Sequence, residues 1–402
     1  MVILVINAGS SSVKFTCFDM ADNKKVLASG LVERIGIEGT TMKYTNHKGD
    51  EVKGEVNVKN PTDAIKLISE RLLDAKHGVL KKLDEIKAIG HRVVHGGEKI
   101  KDPIIITGEV KDTIRGCFSM SPLHNPHNLN GIEACEGVLP GVPNVGVFDT
   151  AFHATMPPQA FLYGLPYNFY TENSIRRYGF HGTSHAYVSK AAAELDGRPY
   201  QSLKIVTCHL GNGGSVAAIK DGKCQDTSMG LTPLEGLLMG TRLGDVDPAV
   251  VLYVMKLKNL SIEQMDNLMN KQSGILGLAG IGSSDLRDVE AAQDKGNEQC
   301  RQALEAYAYR VRKYIGAYTA ALGGLDILVF TAGVGENSST MRASITKGLE
   351  GLGIKVDPAK NAVRSPDPRV ISTPDSAVKV QVVPTNEELA IAEFTHALVA
   401  QK

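Results

Sequence analysis

Two stretches of the chain, about 200 residues apart, carry the same short plan, and that recurrence limits the folds open to it. Ile3-Leu4-Val5-Ile6 is an apolar strand pattern, followed by the small-residue turn Asn7-Ala8-Gly9-Ser10-Ser11-Ser12 and a second extended run from Val13 to Phe18. Ile205-Val206-Thr207-Cys208 leads likewise into His209-Leu210-Gly211-Asn212-Gly213-Gly214-Ser215, then Val216 to Ile219, with Asp221-Gly222 as the next turn. Two such units predict an internal duplication, each opening one half of a two-lobed protein. At 402 residues the chain has room for two or three domains and for a generous core.

A third glycine-rich stretch differs in kind. Ile327-Leu328-Val329-Phe330 runs into a turn, Thr331-Ala332-Gly333-Val334-Gly335-Glu336-Asn337-Ser338, with helix expected to about Leu349. Strand–turn–helix geometry places backbone N–H groups and a helix N-terminus near a ligand. Apolar spacing and caps predict further helices near 61–76, 184–196, 248–258, 286–308 and 310–323. The segment from Asn386 to Lys402 also reads as a helix, packing back on the first lobe. Strands mixed with helices throughout make an α/β protein, with a lobe boundary near residue 150.

Composition excludes several classes. Forty-four basic and 44 acidic side chains cancel, which argues against nucleic acid as the main partner, because duplex binding needs a basic surface. No apolar run approaches the ~20 residues of a membrane span. The opening run, Val2 to Ile6, is too short and wrongly flanked for a signal peptide. A cytoplasmic location is therefore expected. The six cysteines are scattered without a C-x-x-C pair and read as reduced, partly buried thiols.

The chemistry-bearing residues point to an anionic ligand. No G-x-x-x-x-G-K-[ST] is present, and Gly333-Val334-Gly335 lacks the third glycine of a dinucleotide fingerprint. The two hairpin turns, Gly9 to Ser12 and Gly211 to Ser215, with Lys14 beside the first, remain as phosphate cradles; the plainer reading is two tight hairpins. Arg92 in His91-Arg92-Val93-Val94-His95-Gly96-Gly97 and Arg242 in Gly240-Thr241-Arg242-Leu243-Gly244-Asp245 are permanently charged forks among small residues. Such a pair suits an anionic substrate and a charged transition state.

Two histidine-rich segments follow, Leu123-His124-Asn125-Pro126-His127 and Phe180-His181-Gly182-Thr183-Ser184-His185. Asn125 is expected to cap a helix with Pro126 at its first position, and Thr183 or Ser184 to start another. His124/His127 and His181/His185 have metal-compatible spacing, but a hydrogen bond from His181 to a phosphoryl oxygen is the preferred reading. Asp149, after Val145-Gly146-Val147-Phe148, and Glu387, after Thr385-Asn386, are candidate hard-metal ligands; a carboxylate in either place is more often a helix cap or loop charge.

Together these segments resemble the acetate kinase family, within the larger actin-like ATPase and sugar kinase fold. The matching motifs are Asn7-Ala8-Gly9-Ser10-Ser11-Ser12-Val13-Lys14, Arg92 to Gly97, Phe180 to His185, His209 to Gly213, Gly240-Thr241-Arg242, Ser284-Asp285-Leu286-Arg287, Gly333 to Asn337 and Asn386-Glu387-Glu388. They run in order over nearly the whole chain. The resemblance implies a two-lobed actin-like ATPase (ribonuclease H-like) fold with a duplicated core and an interdomain cleft. Its N-terminal lobe would span 1–150, joined by the helix 386–402, and its nucleotide-binding lobe 151–385. It also implies reversible phosphoryl transfer from ATP to acetate, giving acetyl phosphate and ADP, with Mg2+ (or Mn2+) and in a homodimer, without nucleic acid or membrane as partner.

Residue by residue, the resemblance assigns the substrate carboxylate to Arg92 and the transferring phosphoryl group to Arg242 and His181. Asn7 and Glu387 would hold the metal, directly or through water, and Lys14 would touch ATP. His209, Leu210, Gly211, Asn212 and Gly213 would follow the nucleotide phosphates. Asp285, Leu286 and Arg287, with Gly333, Val334, Gly335, Glu336 and Asn337, would hold ribose and adenine. Val94, Leu123, Phe180 and Pro233 would form a small acyl pocket. The family's acid/base position falls on Asp149, yet acetate, with a pKa near the ~4–5 of side-chain carboxylates, is already ionised at neutral pH. Orienting a metal-bound water or holding the metal is the more natural task for Asp149. Two departures stand out: Leu243 follows Arg242 where serine is usual, and Gly214 replaces a commoner alanine or serine. The nearest rival is a propionate or other short-chain acyl kinase; a more distant one is an ATP-gated binding module of the same fold.

Overall fold

Val2–Ala8 (β1) is apolar without interruption over its first five residues, Val2 to Ile6, because both faces of the sheet it enters are covered. Its residues divide by the period of two: Leu4 and Ile6 join a cluster with Ala64, Ile65, Ala134 and Cys135, while Ile3 and Val5 join Val145, Val147, Ile391 and Ala392 on the other face. Helices Pro61–Leu72 and Asn125–Val138 cover the first face, and helix Glu387–Val399 the second. The remaining strands here are Ser12–Asp19 (β2), Lys25–Glu33 (β3), Thr41–Asn46 (β4), Glu51–Glu55 (β5), Ile86–Val93 (β6), Ile104–Ile105 (β7) and Asn144–Phe148 (β8). The sheet order is β5-β4-β3-β2-β1-β6-β8-β7, with β1, β6 and β8 parallel. The first hairpin pairs Asn7 with Lys14.

A second sheet is built from Lys204–Leu210 (β9), Gly214–Lys220 (β10), Lys223–Thr227 (β11), Ile327–Thr331 (β12), Arg369–Val370 (β13) and Lys379–Val382 (β14), in the order β11-β10-β9-β12-β14-β13. Strands β9, β12 and β14 are parallel. Helix Gly182–Asp196 lies on β9 and β12, and the long helix Glu298–Leu322 on β10 and β9. The runs β3-β2-β1-β6-β8 and β11-β10-β9-β12-β14 have the same order and the same strand directions, which is the duplicated core.

The computed structural model describes residues 1–400 and separates into two compact units, Met1–Phe152 with the chain from Asn386, and His153–Thr385. Of the helix expected over 386–402, the last two residues lie outside the described residues. Among the described residues no helix is long and apolar enough to cross a membrane, and all six cysteines are buried and free of disulfides.

Several local expectations are corrected. The helices placed at 286–308 and 310–323 break elsewhere: Leu286–Asp294 ends, and Glu298–Leu322 begins, around Gly296. Gly296 takes a left-handed φ of 90°, and the Asn297 side chain caps the next helix by accepting from the Cys300 N–H. The helix placed at 61–76 stops at Leu72. The glycine stretch after β12 is not an open turn, because Ala332–Asn337 is itself helical and follows the strand directly. The C-terminal helix needs a bare backbone beneath it: a Cβ on Gly90 of β6 would lie 2.5 Å from Thr395 Oγ1 and 2.7 Å from Ile391 Cγ2. Gly90→Ala should therefore cost about 1–3 kcal/mol in urea unfolding, as overpacking does.

Candidate active site

In open α/β sheets, ligands bind outside the carboxyl ends of the parallel strands. In the first unit those ends carry Asn7 on β1, Arg92 on β6 and Asp149 just after β8. Arg92 stands opposite Val147 in the ladder, and the Asp149 N–H donates to Val93 O at 2.9 Å, so the two side chains meet. Arg92 donates to Asp149 through both Nε (3.1 Å) and Nη2 (2.8 Å), a bidentate pair. Glu387, first residue of the C-terminal helix, places Oε2 3.6 Å from Arg92 Nε. Asp149, then Glu387, keeps the guanidinium firmly charged against its burial. Burial pushes the Glu387 carboxyl up, Arg92 pulls it down in part, and Asp149 and Glu388 raise it again. Lys14 is ion-paired with Glu388.

Two buried amides brace this edge. The Asn128 side chain accepts from the Val94 N–H (3.1 Å) and donates to Ala8 O (2.8 Å), tying the end of β6 to the end of β1. Asn125 does not cap its helix: it is the first helical residue, after His124, and its side chain accepts from the His95 N–H (3.0 Å) and donates to His95 O (2.9 Å). Val94 is buried beside them, whereas Leu123 is 50% exposed in the preceding turn.

The second unit holds the other group. Helix Gly182–Asp196 starts at Gly182, two residues before Ser184, with His181 as its cap residue at a left-handed φ of 57°. A non-glycine residue held there signals a site that overrides local preference. The His181 ring stacks on His209 at 4.2 Å between centroids, and its Nδ1 lies 2.8 Å from Ser215 Oγ. Gly213 sits in front: a Cβ there would lie 3.6 Å from His181 Nε2 and 3.4 Å from Arg242 Nη1. Gly240 donates its N–H to Asn212 O at 2.9 Å, and a Cβ on Gly240 would strike Asn212 Oδ1 at 1.9 Å. These glycines bring the 211–213 turn, Arg242 and His181 together.

Among the described residues Arg242 has no carboxylate partner. Its Nη1 donates to Pro233 O at 3.2 Å, and burial alone lowers its pKa, though a guanidinium stays charged. Leu243 is held by its backbone, donating to Met269 O at 3.1 Å. Phe180 is buried, and its carbonyl lies 2.9 Å from His153 Nε2.

The residues expected around the nucleotide sit in two further places of the second unit. Asp285 caps the helix Leu286–Asp294 by accepting from the Arg287 N–H (2.9 Å), and the exposed Arg287 side chain pairs with the same carboxylate, pulling its pKa down to about 2. Gly333, Val334, Gly335, Glu336 and Asn337 form the short helix after β12. Glu336 Oε1 accepts from the Ala332 N–H (2.8 Å) and the Thr385 N–H (3.1 Å), linking the ends of β12 and β14. The fully buried Arg342, which sequence reasoning missed, donates to the Gly335 and Glu336 carbonyls at 2.9 Å each and to Asn361 at 2.7 Å.

For a metal, the donors at the first-unit edge are oxygens: Asn7, Glu387 and Asp149. Among the described residues no group of three or more His, Cys, Asp or Glu side chains is assembled for an ion. Oxygen donors suit a hard cation that keeps waters and phosphate oxygens as its other ligands. Both nitrogens of His185 are already engaged by hydroxyls. The two arginines predict stability effects of different size. Asp149→Ala leaves Arg92 without its bidentate partner and should cost about 2–3 kcal/mol in urea unfolding. Arg242→Ala, which breaks no ion pair, should cost under about 1 kcal/mol.

Comparison with known proteins is consistent over the whole length. Residues 2–393 match the acetokinase family. Acetate kinase of Dictyoglomus turgidum is 56% identical over 404 residues, covering 100% of this chain and 98% of that protein. The crystal structure of Porphyromonas gingivalis acetate kinase superposes with a TM-score of 0.94 at 48% identity, covering 99% of both chains. A propionate kinase from Francisella tularensis superposes with a TM-score of 0.91 at 39% identity, over 98% of this chain and 99% of that one. With its motifs, its duplicated core and its full-length relatives in agreement, the chain belongs to the acetokinase family.

Proposed function

We propose that the protein transfers the γ-phosphoryl group of ATP reversibly to acetate, giving acetyl phosphate and ADP. The observation that carries this reading is Arg242, a half-buried guanidinium without a counter-ion, converging with His181 on the bare backbone of Gly213. A phosphoryl group in transfer carries its charge on three equatorial oxygens and needs such donors. An acetate oxygen bonds to the γ-phosphorus as the bond to the β–γ bridging oxygen breaks, and ADP leaves with that electron pair.

Acetate arrives ionised, so no base is required. The work lies in positioning and charge neutralisation. Arg92 would receive the acetate carboxylate, with Asp149 holding the guanidinium plane in place through the two bonds already described; that geometry supports orientation as the role of Asp149. Val94, Leu123, Phe180 and Pro233 would contact the acyl methyl. His209 to Gly213 would follow the nucleotide phosphates, Lys14 would touch ATP, and Asp285 to Arg287 with Gly333 to Asn337 would hold ribose and adenine. A divalent cation, Mg2+ with Mn2+ as the alternative, would be held by Asn7 and Glu387 and supplies charge neutralisation at the phosphates when bound.

A cytoplasmic homodimer completes the reading. Buried, unbridged thiols support a reducing compartment. The helix Pro248–Lys258 buries none of its residues and leaves Leu252, Tyr253 and Leu257 more than 60% exposed, which supports self-association, readable by light scattering.

Hydroxylamine trapping with ATP, Mg2+ and a series of short carboxylates tests the reaction. Acetyl hydroxamate should form fastest; the likeness to a propionate kinase makes propionate the second candidate, since one methylene is worth only about 1–3 kcal/mol. Arg92→Ala should raise the KM for acetate more than that for ATP. Arg242→Ala should lower kcat about 10²–10³-fold, as loss of a transition-state donor does. ATP loss without acyl phosphate from any acid would overturn the reading.

A further inference from the structure

The fully buried hydroxyls of Thr207 and Ser215 flank the equally buried His185, and neither hydroxyl serves the sheet. His185 Nδ1 lies 2.7 Å from Thr207 Oγ1, and its Nε2 lies 2.8 Å from Ser215 Oγ. The same Ser215 Oγ lies 2.8 Å from His181 Nδ1. Four groups are thus strung in one line through three short hydrogen bonds. A hydroxyl has a single hydrogen, and a neutral imidazole has one N–H and one lone pair, so the line has a direction.

Three arrangements are open to a neutral His185, which burial, helped by His153 and His209, keeps neutral. In one, His185 donates from Nδ1 to Thr207, Ser215 donates to His185 Nε2, and His181 donates from Nδ1 to Ser215. Among the described residues His185 is the one hydrogen-bond partner of the Thr207 hydroxyl, so the Thr207 hydrogen then has no acceptor. A buried donor without an acceptor is costly. In the other two, Thr207 donates to His185 Nδ1 and His185 donates from Nε2 to Ser215; if His181 also donates from Nδ1 to Ser215, the buried Ser215 hydrogen has no acceptor, which leaves the arrangement in which Ser215 donates to His181 Nδ1. Every hydrogen in the line is then used.

From this accounting we infer that Thr207, His185 and Ser215 are positioning residues that fix the tautomer of His181, leaving its proton on Nε2. That nitrogen is the one beside Gly213 and Arg242. His181 therefore presents a neutral N–H donor, next to a permanent cation, to an anion at the 211–213 turn. The inference rests on the proposed phosphoryl role of His181 for its functional meaning, while the tautomer itself stands on the hydrogen-bond geometry and the burial of His185. It also gives His185 and Ser215 a purpose that metal ligation and helix capping do not supply. The left-handed backbone at His181 aims the ring at Ser215 and His209 together.

The test is a long-range 1H–15N spectrum of the full-length protein labelled at histidine, with the His181 signals assigned by their loss in His181→Gln. The expected result is a pyridine-type Nδ1 and a pyrrole-type Nε2 on His181; a proton on Nδ1, alone or together with Nε2, overturns the inference. Ser215→Ala should mix the two tautomers and lower kcat about tenfold with the KM for ATP and for acetate within about twofold, and Ser215→Thr should recover most of the loss. Wild-type kcat together with an unchanged tautomer in Ser215→Ala would remove the positioning role. Wild-type turnover in His181→Gln would instead sink the proposed role of His181, leaving the spectrum to judge the tautomer by itself.

Discussion

Parallel neighbours cannot be joined by a tight turn, so β1, β6 and β8 are linked through intervening chain and bring their carboxyl ends to the same edge of the sheet. That constraint gathers the 8–12 turn, the Val94–Gly97 segment and Asp149 within one unit. The second unit obeys it through β9, β12 and β14, whose ends lead into the 211–213 turn, the short helix at Ala332 and the Thr385 segment. The polar groups of each unit depend on this arrangement, because covering both faces of each sheet with helices leaves the strand ends as the place where polar side chains from several strands can meet.

The two edges use charge differently. In the first unit the cation is satisfied: Arg92 spends two donors on Asp149 and lies within reach of Glu387, so its position is set before any ligand arrives. In the second unit the cation is left without a carboxylate among the described residues, and the groups beside it are imidazoles and hydroxyls. A paired arginine makes a rigid platform for a small carboxylate. An unpaired one keeps its field for charge that develops during transfer. The left-handed backbone at His181 is the local cost of stacking that ring on His209 while reaching Ser215.

Much of the secondary structure was legible. Continuous apolar runs marked β1 and β9, small-residue turns marked both hairpins, and apolar spacing and caps marked a helix near 248–258, the residues it occupies. Errors arose where two local signals competed or where the partner was remote. Asn125 before Pro126 has the form of a cap, but its amide is taken by the His95 backbone 30 residues earlier. Gly333 and Gly335 suggested an open turn, yet helix forms there because Glu336 satisfies the N–H at its start and Arg342 the carbonyls near its end. Arg342 was invisible as a functional support, since its acceptors are main-chain oxygens and an asparagine that no spacing rule relates to it.

By itself the sequence determined the α/β class, the repeated strand–turn–strand units and the residue types open to phosphoryl chemistry, because apolar period, turn composition and fixed charge are local properties of the chain. Tertiary structure decided which charges are compensated and which donors are aimed. Arg92 and Arg242 look alike among small residues, and only packing puts Asp149 against one and leaves the other without a counter-ion. The same holds for His181 and His185: one lies at the turn and one behind it, and the hydroxyl between them joins the two because Ser215 on β10 pairs with His209 on β9, two residues beyond Thr207. Pairing across a sheet brings together atoms remote in sequence, and the direction of a hydrogen-bond line is a property of all its members at once.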